Sequence, residues 1–366
     1  MFVEKLTLSN FKNFGEASFR FSEKINCFVG RNGVGKTNLL DAIHYLAFCK
    51  SYFSAVDTQN IRHGEEYFAI HGECRRNGSH PDSLQCIQKK GQRKRFLLNK
   101  KEYERLADHI GMVPVVMISP YDRDLINDGS EARRKYTDSV ISQFDRSYLD
   151  DLISYNKALY HRNALLKQFA ERLPFDQASL ETWDEQLIRL GSSIHEKRKA
   201  FLLEFIPIFR KYYRFISGDS ETVDIRYVSQ LETSSMRDLM TGSLKKDLIT
   251  QFTNAGIHKD DLEFLTGEFP VKRFGSQGQQ KSFVVAVKLA QFEYMSGKKG
   301  FKPILLLDDL FDKLDDLRVE QLIKLVGESS FGQVFITDTQ EEKIRRIFDA
   351  MAIDHKIFRI PFDAGF

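Results

Sequence analysis

The two ends of the chain and its middle carry different patterns of apolar and polar residues. Near both ends, short alternating segments and short apolar runs predict strands. The predicted strands cover residues 2–8, 18–21, 25–29, 68–75, 83–90, 93–99, 113–119, 223–229, 304–309, 333–337 and 355–360. Apolar residues at helical spacing predict helices over 38–48, 281–296, 316–327 and 341–350. This mixture predicts an α/β body.

The region between about residues 131 and 215 lacks strand signals and is rich in charge. Its apolar residues follow helical spacing on both sides of Pro174. This pattern predicts a helical hairpin or a small helical domain inserted into the α/β body. We therefore expect a first part of the body with an antiparallel β subdomain at 1–125, the helical insert at 126–245, and the second part of the body at 246–366.

The composition is that of an ordinary globular protein, with 42% hydrophobic residues, 29% charged residues and a net charge of +3. This charge permits a local basic patch but does not require a nucleic-acid partner. The four cysteines form no CxxC pair, which indicates buried thiols in a reducing compartment. We see no signal-peptide pattern and no apolar stretch long enough for a membrane span. We therefore expect a cytoplasmic protein that does not bind membranes.

Residues 30–37, GRNGVGKT, match the phosphate-loop pattern between a predicted strand and a predicted helix. The backbone amides of such a loop surround the phosphates of ATP. Lys36 would bring positive charge to the β- and γ-phosphates, and Thr37 would offer a hydroxyl to Mg²⁺. The predicted nucleotide-binding residues of this loop are Gly30, Arg31, Asn32, Gly33, Val34, Gly35, Lys36 and Thr37.

Residues 304–309, ILLLDD, combine a buried strand with paired carboxylates at its carboxyl end. Asp308 is predicted to hold Mg²⁺, directly or through water, and Asp309 to orient and deprotonate the attacking water. By itself, the segment is equally typical of a strand followed by a helix-capping aspartate. The predicted catalytic residues are therefore Lys36, Asp308 and Asp309, the predicted metal ligands are Thr37 and Asp308, and the choice of general base between the two aspartates stays open.

A polar run with two glycines, RFGSQGQQKS, precedes the predicted helix at 281–296. Ser276, Gln277, Gly278 and Gln279 offer a hydroxyl, an exposed amide and a helix N-terminus, which suit a γ-phosphate. In ABC-class ATPases such a patch faces the ATP of a second subunit, so that two heads enclose two nucleotides. This interpretation predicts an ATP-dependent homodimer, and a simple polar helix cap is the alternative.

Two further segments have counterparts in the ABC class. Residues 311–318, FDKLDDLR, occupy the position of its dimer-contacting loop. Residues 333–339, QVFITDT, lie where ABC proteins usually carry a histidine, and this histidine is absent here. Thr337 or Thr339 could take its place as the sensor of the γ-phosphate.

Taken together, these motifs resemble the RecF family of SMC/ABC-type ATPases over nearly the whole chain. The other similar segments are LTLSNFKNF (6–14), ISPYDRDLINDGSEARRKYTD (118–138), LETWDEQLIRLGSSI (180–194) and AGIHKDDLEF (255–264). Three departures concern the expected dimer face: Phe53 replaces a frequent Arg, Ile257 replaces a common Pro, and residues 312–315 read DKLD where Ser and Glu are usual. The nucleotide loop follows the family pattern.

The resemblance implies an ABC/SMC-type P-loop ATPase head, with a mixed sheet, helices, an antiparallel β subdomain and an inserted helical domain. It further implies a recombination mediator in DNA repair and replication-fork restart. Such a protein would dimerise on ATP and bind double-stranded and gapped DNA without sequence preference. It would help RecO and RecR to load recombinase, and slow ATP hydrolysis would release it.

Three clusters of cations are candidates for contacts with DNA phosphates, or alternatively are ordinary solvated faces. Their members are Lys89, Lys90, Arg93, Lys94 and Arg95, then Arg133, Arg134 and Lys135, and then Lys197, Arg198 and Lys199.

Other functions fit the sequence less well. A small-molecule kinase with a phosphate loop would have no use for the patch at 276–279. A bridging SMC-like protein needs long heptad arms, and the insert here is short and interrupted by proline. Another short-armed SMC-like ATPase, for chromosome maintenance or phage defence, is the remaining alternative, and phage-defence relatives usually carry an added effector domain.

Overall fold

The computed structural model describes residues 1–76, 80–171, 174–218, 221–309, 325, 331–350 and 354–360. The chain divides into two compact units. Unit 1 comprises residues 1–122, 215–218 and 285–366, and unit 2 comprises residues 123–214 and 219–284.

The regular elements follow one another along the chain as strands and helices. The strands are β1 (Phe2–Phe11), β2 (Phe14–Arg20), β3 (Ile25–Val29), β4 (Tyr67–Arg75), β5 (Asp82–Lys89), β6 (Arg95–Leu98), β7 (Lys101–Glu102), β8 (Val115–Ile118), β9 (Val223–Val228), β10 (Asp261–Thr266), β11 (Phe269–Pro270), β12 (Ile304–Leu307), β13 (Val334–Asp338) and β14 (His355–Arg359). The α-helices are α1 (Lys36–Phe48), α2 (Asp124–Asn127), α3 (Ser130–Ser142), α4 (Arg146–Glu171), α5 (Gln177–Ser217), α6 (Met236–Thr250), α7 (Val271–Phe274), α8 (Gln277–Lys299) and α9 (Glu341–Ala350).

A parallel sheet in unit 1 brings several loops to one edge. Its strand order is β14-β3-β13-β12-β8, and all neighbouring strands are parallel. The residues of β3, β8, β12 and β13 are all buried, as expected for strands covered on both faces. Because the strands are parallel, the segments that follow them leave the sheet at the same carboxyl edge, where α/β proteins bind ligands.

An antiparallel sheet completes the β-structure of unit 1, in the order β2-β1-β4-β5-β6-β7. Burial alternates along β4 and β5, so this sheet turns one face to the core. Apolar side chains of α1 share one hydrophobic cluster with residues of both sheets. Core packing therefore fixes the helix that begins directly after the phosphate loop.

One side chain ties the two sheets of unit 1 together. The amide of Gln333, which is 1% exposed, precedes β13. Its oxygen accepts a 2.8 Å hydrogen bond from the Val3 N–H, and its nitrogen donates to the carbonyl oxygens of Val3 and Ser22, each at 2.8 Å. Gln333 thus pairs with the backbone of β1 as another strand would, and it satisfies polar groups that would otherwise be buried alone.

Unit 2 combines long helices with a small antiparallel sheet, in the order β11-β10-β9. Arg162 of α4 is fully buried and bonds Asp184 of α5 at 2.5 Å and Asp247 of α6 at 2.7 Å. An unpaired guanidinium in this interior would cost several kcal/mol, so the carboxylates fix the three helices to one another.

Most predicted elements are confirmed, with shifted ends. Strand β2 begins at Phe14 instead of residue 18, and α8 begins at Gln277 instead of residue 281. The predicted helix at 316–327 falls, apart from residue 325, outside the described residues, and so does the predicted dimer loop at 311–318. The proposed boundaries at 125/126 and 245/246 stay predictions. None of the described helices combines the length and the apolar character that a bilayer crossing requires.

Candidate nucleotide site

The phosphate loop connects β3 to α1 at the carboxyl edge of the parallel sheet. Gly35 caps α1 with φ 108°, a left-handed backbone that disfavours any side chain. A Cβ on Gly35 would also lie 2.4 Å from the side-chain nitrogen of Asn13. Asn13 in turn donates to the Val34 carbonyl oxygen at 2.8 Å, so the β1–β2 turn supports the loop from outside.

Lys36 lies inside this loop. The side chain is 4% exposed, and its ammonium donates to the carbonyl oxygens of Gly30 at 2.8 Å and Arg31 at 3.1 Å. The positive charge therefore lies at the centre of the loop, next to the carbonyl groups of its first two residues. A bound triphosphate would fit this position because its oxygens can take over the acceptor role of the carbonyl groups.

Asp308 follows β12 and collects three hydroxyl groups from three other segments of unit 1. The hydroxyls of Thr37 and Thr337 donate to its Oδ1 at 2.8 and 3.0 Å, and the Ser119 hydroxyl donates to its Oδ2 at 3.3 Å. Burial raises the pKa of this carboxyl, and the nearby charge of Asp309 adds to the increase. A divalent cation at this carboxylate would oppose both effects.

The oxygens of Thr37 and Asp308 fit Mg²⁺, which prefers hard oxygen ligands and usually takes only one or two carboxylates besides phosphate and water. Groups of three or more His, Cys, Asp or Glu side chains able to hold a metal do not occur among the described residues.

Asp309 is less enclosed than Asp308 and has φ 43°, in the left-handed region. Its backbone N–H donates to the Thr337 hydroxyl at 2.8 Å. The hydroxyl also lies 3.4 Å from Asp309 Oδ1 and bonds Asp308, so Thr337 orients both carboxylates. This threonine was predicted only as a possible sensor of the γ-phosphate.

Ser119 was missed by sequence reasoning. It follows β8, and Asp122 fixes it by accepting the Ser119 N–H at 2.7 Å. Asp122 is 5% exposed, accepts a hydrogen bond from the Tyr52 hydroxyl, and pairs with Lys288 of α8 at 2.6 Å. Its contact with Asp308 depends on the pairing of β8 with β12, which the sequence pattern does not reveal.

The Ser276–Gln279 patch lies in unit 2 at the start of α8. Ser276 and Gln279 cap this helix by exchanging two hydrogen bonds. The Gln279 N–H donates to the Ser276 hydroxyl oxygen at 3.2 Å, and the Ser276 N–H donates to the Gln279 side-chain oxygen at 2.6 Å. Ser276 and Gln277 are exposed. The amides of Gln277 and Gly278 have no acceptor within the described part of the chain, as is usual in the first turn of a helix. The patch therefore serves as a cap and still offers donors to a ligand.

Several cations suggested as DNA contacts are instead internal partners of carboxylates. Lys94 bonds Asp57 at 2.6 Å with 10% of its side chain exposed. Arg133 bonds Asp261 at 2.7 Å, with 12% of its side chain exposed. These two cations were wrongly suggested, because their charge is already used inside the fold.

Arg198 is also a wrong suggestion, since only 3% of its side chain is exposed. It bonds Asp138 of α3 at 2.8 Å and Asp260 at 2.9 Å. Asp260 belongs to the run HKDDL, and His258 of the same run bonds the Tyr155 hydroxyl at 2.8 Å. The HKDDL segment, which is one of the segments similar to the RecF family, therefore stabilises the interior of unit 2.

Comparisons with known proteins indicate the family of this chain. The RecF/RecN/SMC N terminal domain family matches residues 2–357. The "DNA replication and repair protein RecF" of Flavobacterium johnsoniae is 51% identical, over 98% of this chain and 100% of that protein. The RecF of Bacteroides fragilis is 47% identical, over 100% of this chain and 98% of that protein.

Solved structures of RecF and of an Smc head are similar to this chain. A structure of "the recombination mediator protein RecF-ATPrS in RecFOR pathway" has a TM-score of 0.88 and 29% identity, and the match covers 98% of this chain and 96% of that one. An Smc head from Pyrococcus furiosus has a TM-score of 0.55 and 17% identity, and covers 96% of this chain and 91% of that one, which supports the fold alone.

The fold and the site thus define a P-loop ATPase head of the ABC/SMC class, as predicted. RecF proteins of two other organisms are about half identical to this chain over nearly its full length, and this similarity identifies the family within the class. The chain belongs to the RecF family.

Proposed function

We propose that this chain is an ATP-dependent, DNA-binding recombination mediator that acts in DNA repair and replication-fork restart. The observation that carries the proposal is the 2.8 Å bond between Thr37, at the end of the phosphate loop, and Asp308, at the end of β12. It joins the two motifs that a P-loop ATPase needs, in a chain whose RecF relatives include a structure described with ATP. A protein that acts on chromosomal DNA would function in the bacterial cytoplasm.

Within this proposal, Lys36 and the loop amides bind the triphosphate, and Thr37 and Asp308 hold Mg²⁺. When bound, Mg²⁺ neutralises charge on the phosphate oxygens. Lys36 exchanges its bonds to the loop carbonyls for bonds to the phosphates. Thr37 and Thr337 keep Asp308 in one orientation while it ligates the cation.

We assign the general base to Asp309 and the metal to Asp308. Three hydroxyls surround Asp308, which leaves it little freedom to accept a proton from water. Asp309 is less buried, and its backbone is fixed by Thr337. A carboxylate with an accessible oxygen and a fixed backbone suits the task of orienting the attacking water.

The second half of each nucleotide site would come from another copy of the chain. The exposed Ser276 hydroxyl and the amides of Gln277 and Gly278 suit the γ-phosphate held by a partner. ATP would then be buried between two protomers and would stabilise the dimer, and hydrolysis would release it.

Contacts with DNA would use exposed cations along the β6–β7 edge of the antiparallel sheet. Lys89, Arg93, Lys100 and Lys101 are exposed and have no acidic partner among the described residues. They flank two turns, and would contact backbone phosphates of double-stranded and gapped DNA without reading sequence. RecR and RecO would then act with the protein, as the RecFOR pathway in the description of the similar RecF structure suggests.

Light scattering in the presence and absence of ATP and Mg²⁺, repeated with gapped duplex DNA, tests the proposal. We expect the mass to double with ATP and the complex to bind DNA. Ser276→Arg should bind ATP normally but remain monomeric, because a long cation would occupy the space of the partner's phosphate. A constant mass under all conditions, or an ATP-dependent dimer of Ser276→Arg at wild-type strength, would contradict the proposal.

A further inference from the structure

Two large apolar side chains are left exposed directly before the Ser276–Gln279 patch. The side chains of Phe269 and Phe274 are 60% and 65% exposed. Their ring centroids are 5.2 Å apart, with an angle of 55° between the ring planes. The two adjacent exposed rings form one apolar surface, and such surfaces are candidate binding sites.

The backbone holds these rings in a fixed place. Phe269 pairs with Thr266 in the β10–β11 hairpin, and the buried Val271 anchors the single turn of α7. The Gly275 N–H donates to the Val271 carbonyl oxygen at 2.9 Å, and a Cβ on Gly275 would lie 2.7 Å from that oxygen. Only glycine permits this close approach, which sets Phe274 and Ser276 at a constant separation.

Two of the three charged residues in 268–274 are cations, and the exposed Glu268 is the third. Lys272 and Arg273 lie between the two phenylalanines in sequence, are exposed, and have no carboxylate partner within the described part of the chain. An aromatic surface combined with unpaired cations complements a nucleotide, which offers a flat base and a negative triphosphate.

We propose that Phe269 and Phe274, with Lys272 and Arg273, form a clamp for the nucleotide bound by a second copy of this chain. The rings pack on the adenine base, and the two cations attract its phosphates. Phe274 and Ser276 are two residues apart, so their Cα atoms lie within about 7 Å of each other. In the proposed clamp the γ-phosphate lies at the Ser276 hydroxyl, and the triphosphate extends from there towards Phe274, so that the base at its other end meets the rings.

The clamp rests on the proposed function, because it acts only if Ser276 faces the nucleotide of a partner. It adds a trans contact to the base, which the phosphate-binding patch alone does not provide. It also predicts that the dimer, but not the monomer, distinguishes a nucleotide with a purine base from one without an aromatic base.

The test uses the full chain with 2-aminopurine riboside triphosphate, whose fluorescence is quenched by stacking. Scattering follows dimerisation, and fluorescence follows the base in the same sample. In the wild type we expect quenching when the dimer forms. The double variant F269A/F274A should bind the nucleotide normally as a monomer. It should dimerise about tenfold more weakly, and should lose the quenching at concentrations that restore the dimer.

Tyr160→Ala is the matched control, since it removes an aromatic side chain of α4 that is 71% exposed. It should leave both signals unchanged. Wild-type dimers without quenching, or F269A/F274A dimers with wild-type quenching, would overturn the clamp. If Ser276→Arg prevents dimerisation while F269A/F274A has no effect, the clamp alone fails. If Ser276→Arg dimerises normally, the proposed trans site fails.

Discussion

The phosphate-loop region of unit 1 and the Ser276 region of unit 2 differ in how their polar groups are satisfied. In the first region, Lys36, Thr37 and Asp308 already bond to neighbours within unit 1. In the second, exposed phenylalanines and cations surround a helix start whose first amides have no acceptor among the described residues. The first region is arranged before a ligand arrives, whereas the second leaves hydrogen-bond donors and apolar side chains exposed.

This difference has a physical consequence for mutations. Changes in the preformed region should affect nucleotide chemistry within one protomer. Changes in the exposed region should affect association and leave the folded protomer almost intact. The following predictions test this separation.

The largest effect is expected for Lys36→Ala. Removal of the buried ammonium leaves the phosphates without their main cationic partner, so ATP affinity should fall about 100-fold or more. Calorimetric titration of the monomer measures the change. Lys24→Ala, which removes an exposed lysine before β3, should bind ATP like the wild type. If both variants bind ATP with equal affinity, the glycine loop does not bind the nucleotide.

Asp309→Asn should reduce ATP hydrolysis about 100-fold while ATP binding and the ATP-bound dimer remain, because the amide cannot accept the proton. Asp308→Asn should instead weaken the dependence of ATP binding on Mg²⁺. Phosphate release and titration at several Mg²⁺ concentrations distinguish the two. If the two variants exchange these phenotypes, the assigned roles of the aspartates are reversed.

Acid should destabilise both units through buried neutral histidines. Burial lowers the pKa of His44, His109 and His258 to about 4. Since the ordinary value is 6.5, the unfolded chain takes up protons first. The stabilisation is complete above pH 6.5 and is lost as the pH falls towards 4, by at most about 1.4 kcal/mol per pH unit for each histidine.

Chemical unfolding between pH 7 and pH 4 measures this loss. His258→Gln should make the unfolding free energy less dependent on pH than in the wild type. An unchanged slope would mean that folding does not lower the pKa of His258.

Thr337→Val should slow hydrolysis about tenfold without changing the fold, because it removes the hydroxyl that orients both carboxylates but keeps the shape of the side chain. Thr337→Ser keeps the hydroxyl and should recover most of the rate. Steady-state hydrolysis at saturating ATP measures the effect. Valine and serine variants of equal activity would contradict this positioning role.

The smallest effect is expected for the stability of Ser276→Ala. Loss of the reciprocal cap should cost about 1 kcal/mol of unfolding free energy, and Ser276→Thr should restore most of it. Denaturant unfolding of the monomer measures this change apart from dimerisation. A loss of several kcal/mol would mean that the patch supports the core and would weaken the contrast between the two regions.

The local motifs were predictable because their function depends on neighbours in sequence. Residues 25–37 and 304–309 each contain a strand, its end and the polar groups that follow. The role of Ser119 was not predictable, because it depends on the parallel pairing of β8 with β12. Arg198 resembled a free cation beside Lys197 and Lys199, and only folding brings Asp138 and Asp260 to it. Charge clusters in a sequence do not reveal the carboxylates that long-range contacts supply.

The native cysteines have a practical consequence for work on this protein. Cys27, Cys49, Cys74 and Cys86 are all buried free thiols. Burial raises the pKa of Cys49 and Cys74 to about 12 and raises the pKa of the other two as well. Since the thiolate is the reactive form, maleimide should not react with any of the four thiols at neutral pH. A single cysteine introduced on the surface could thus carry a dye or a crosslinker without prior removal of the native thiols.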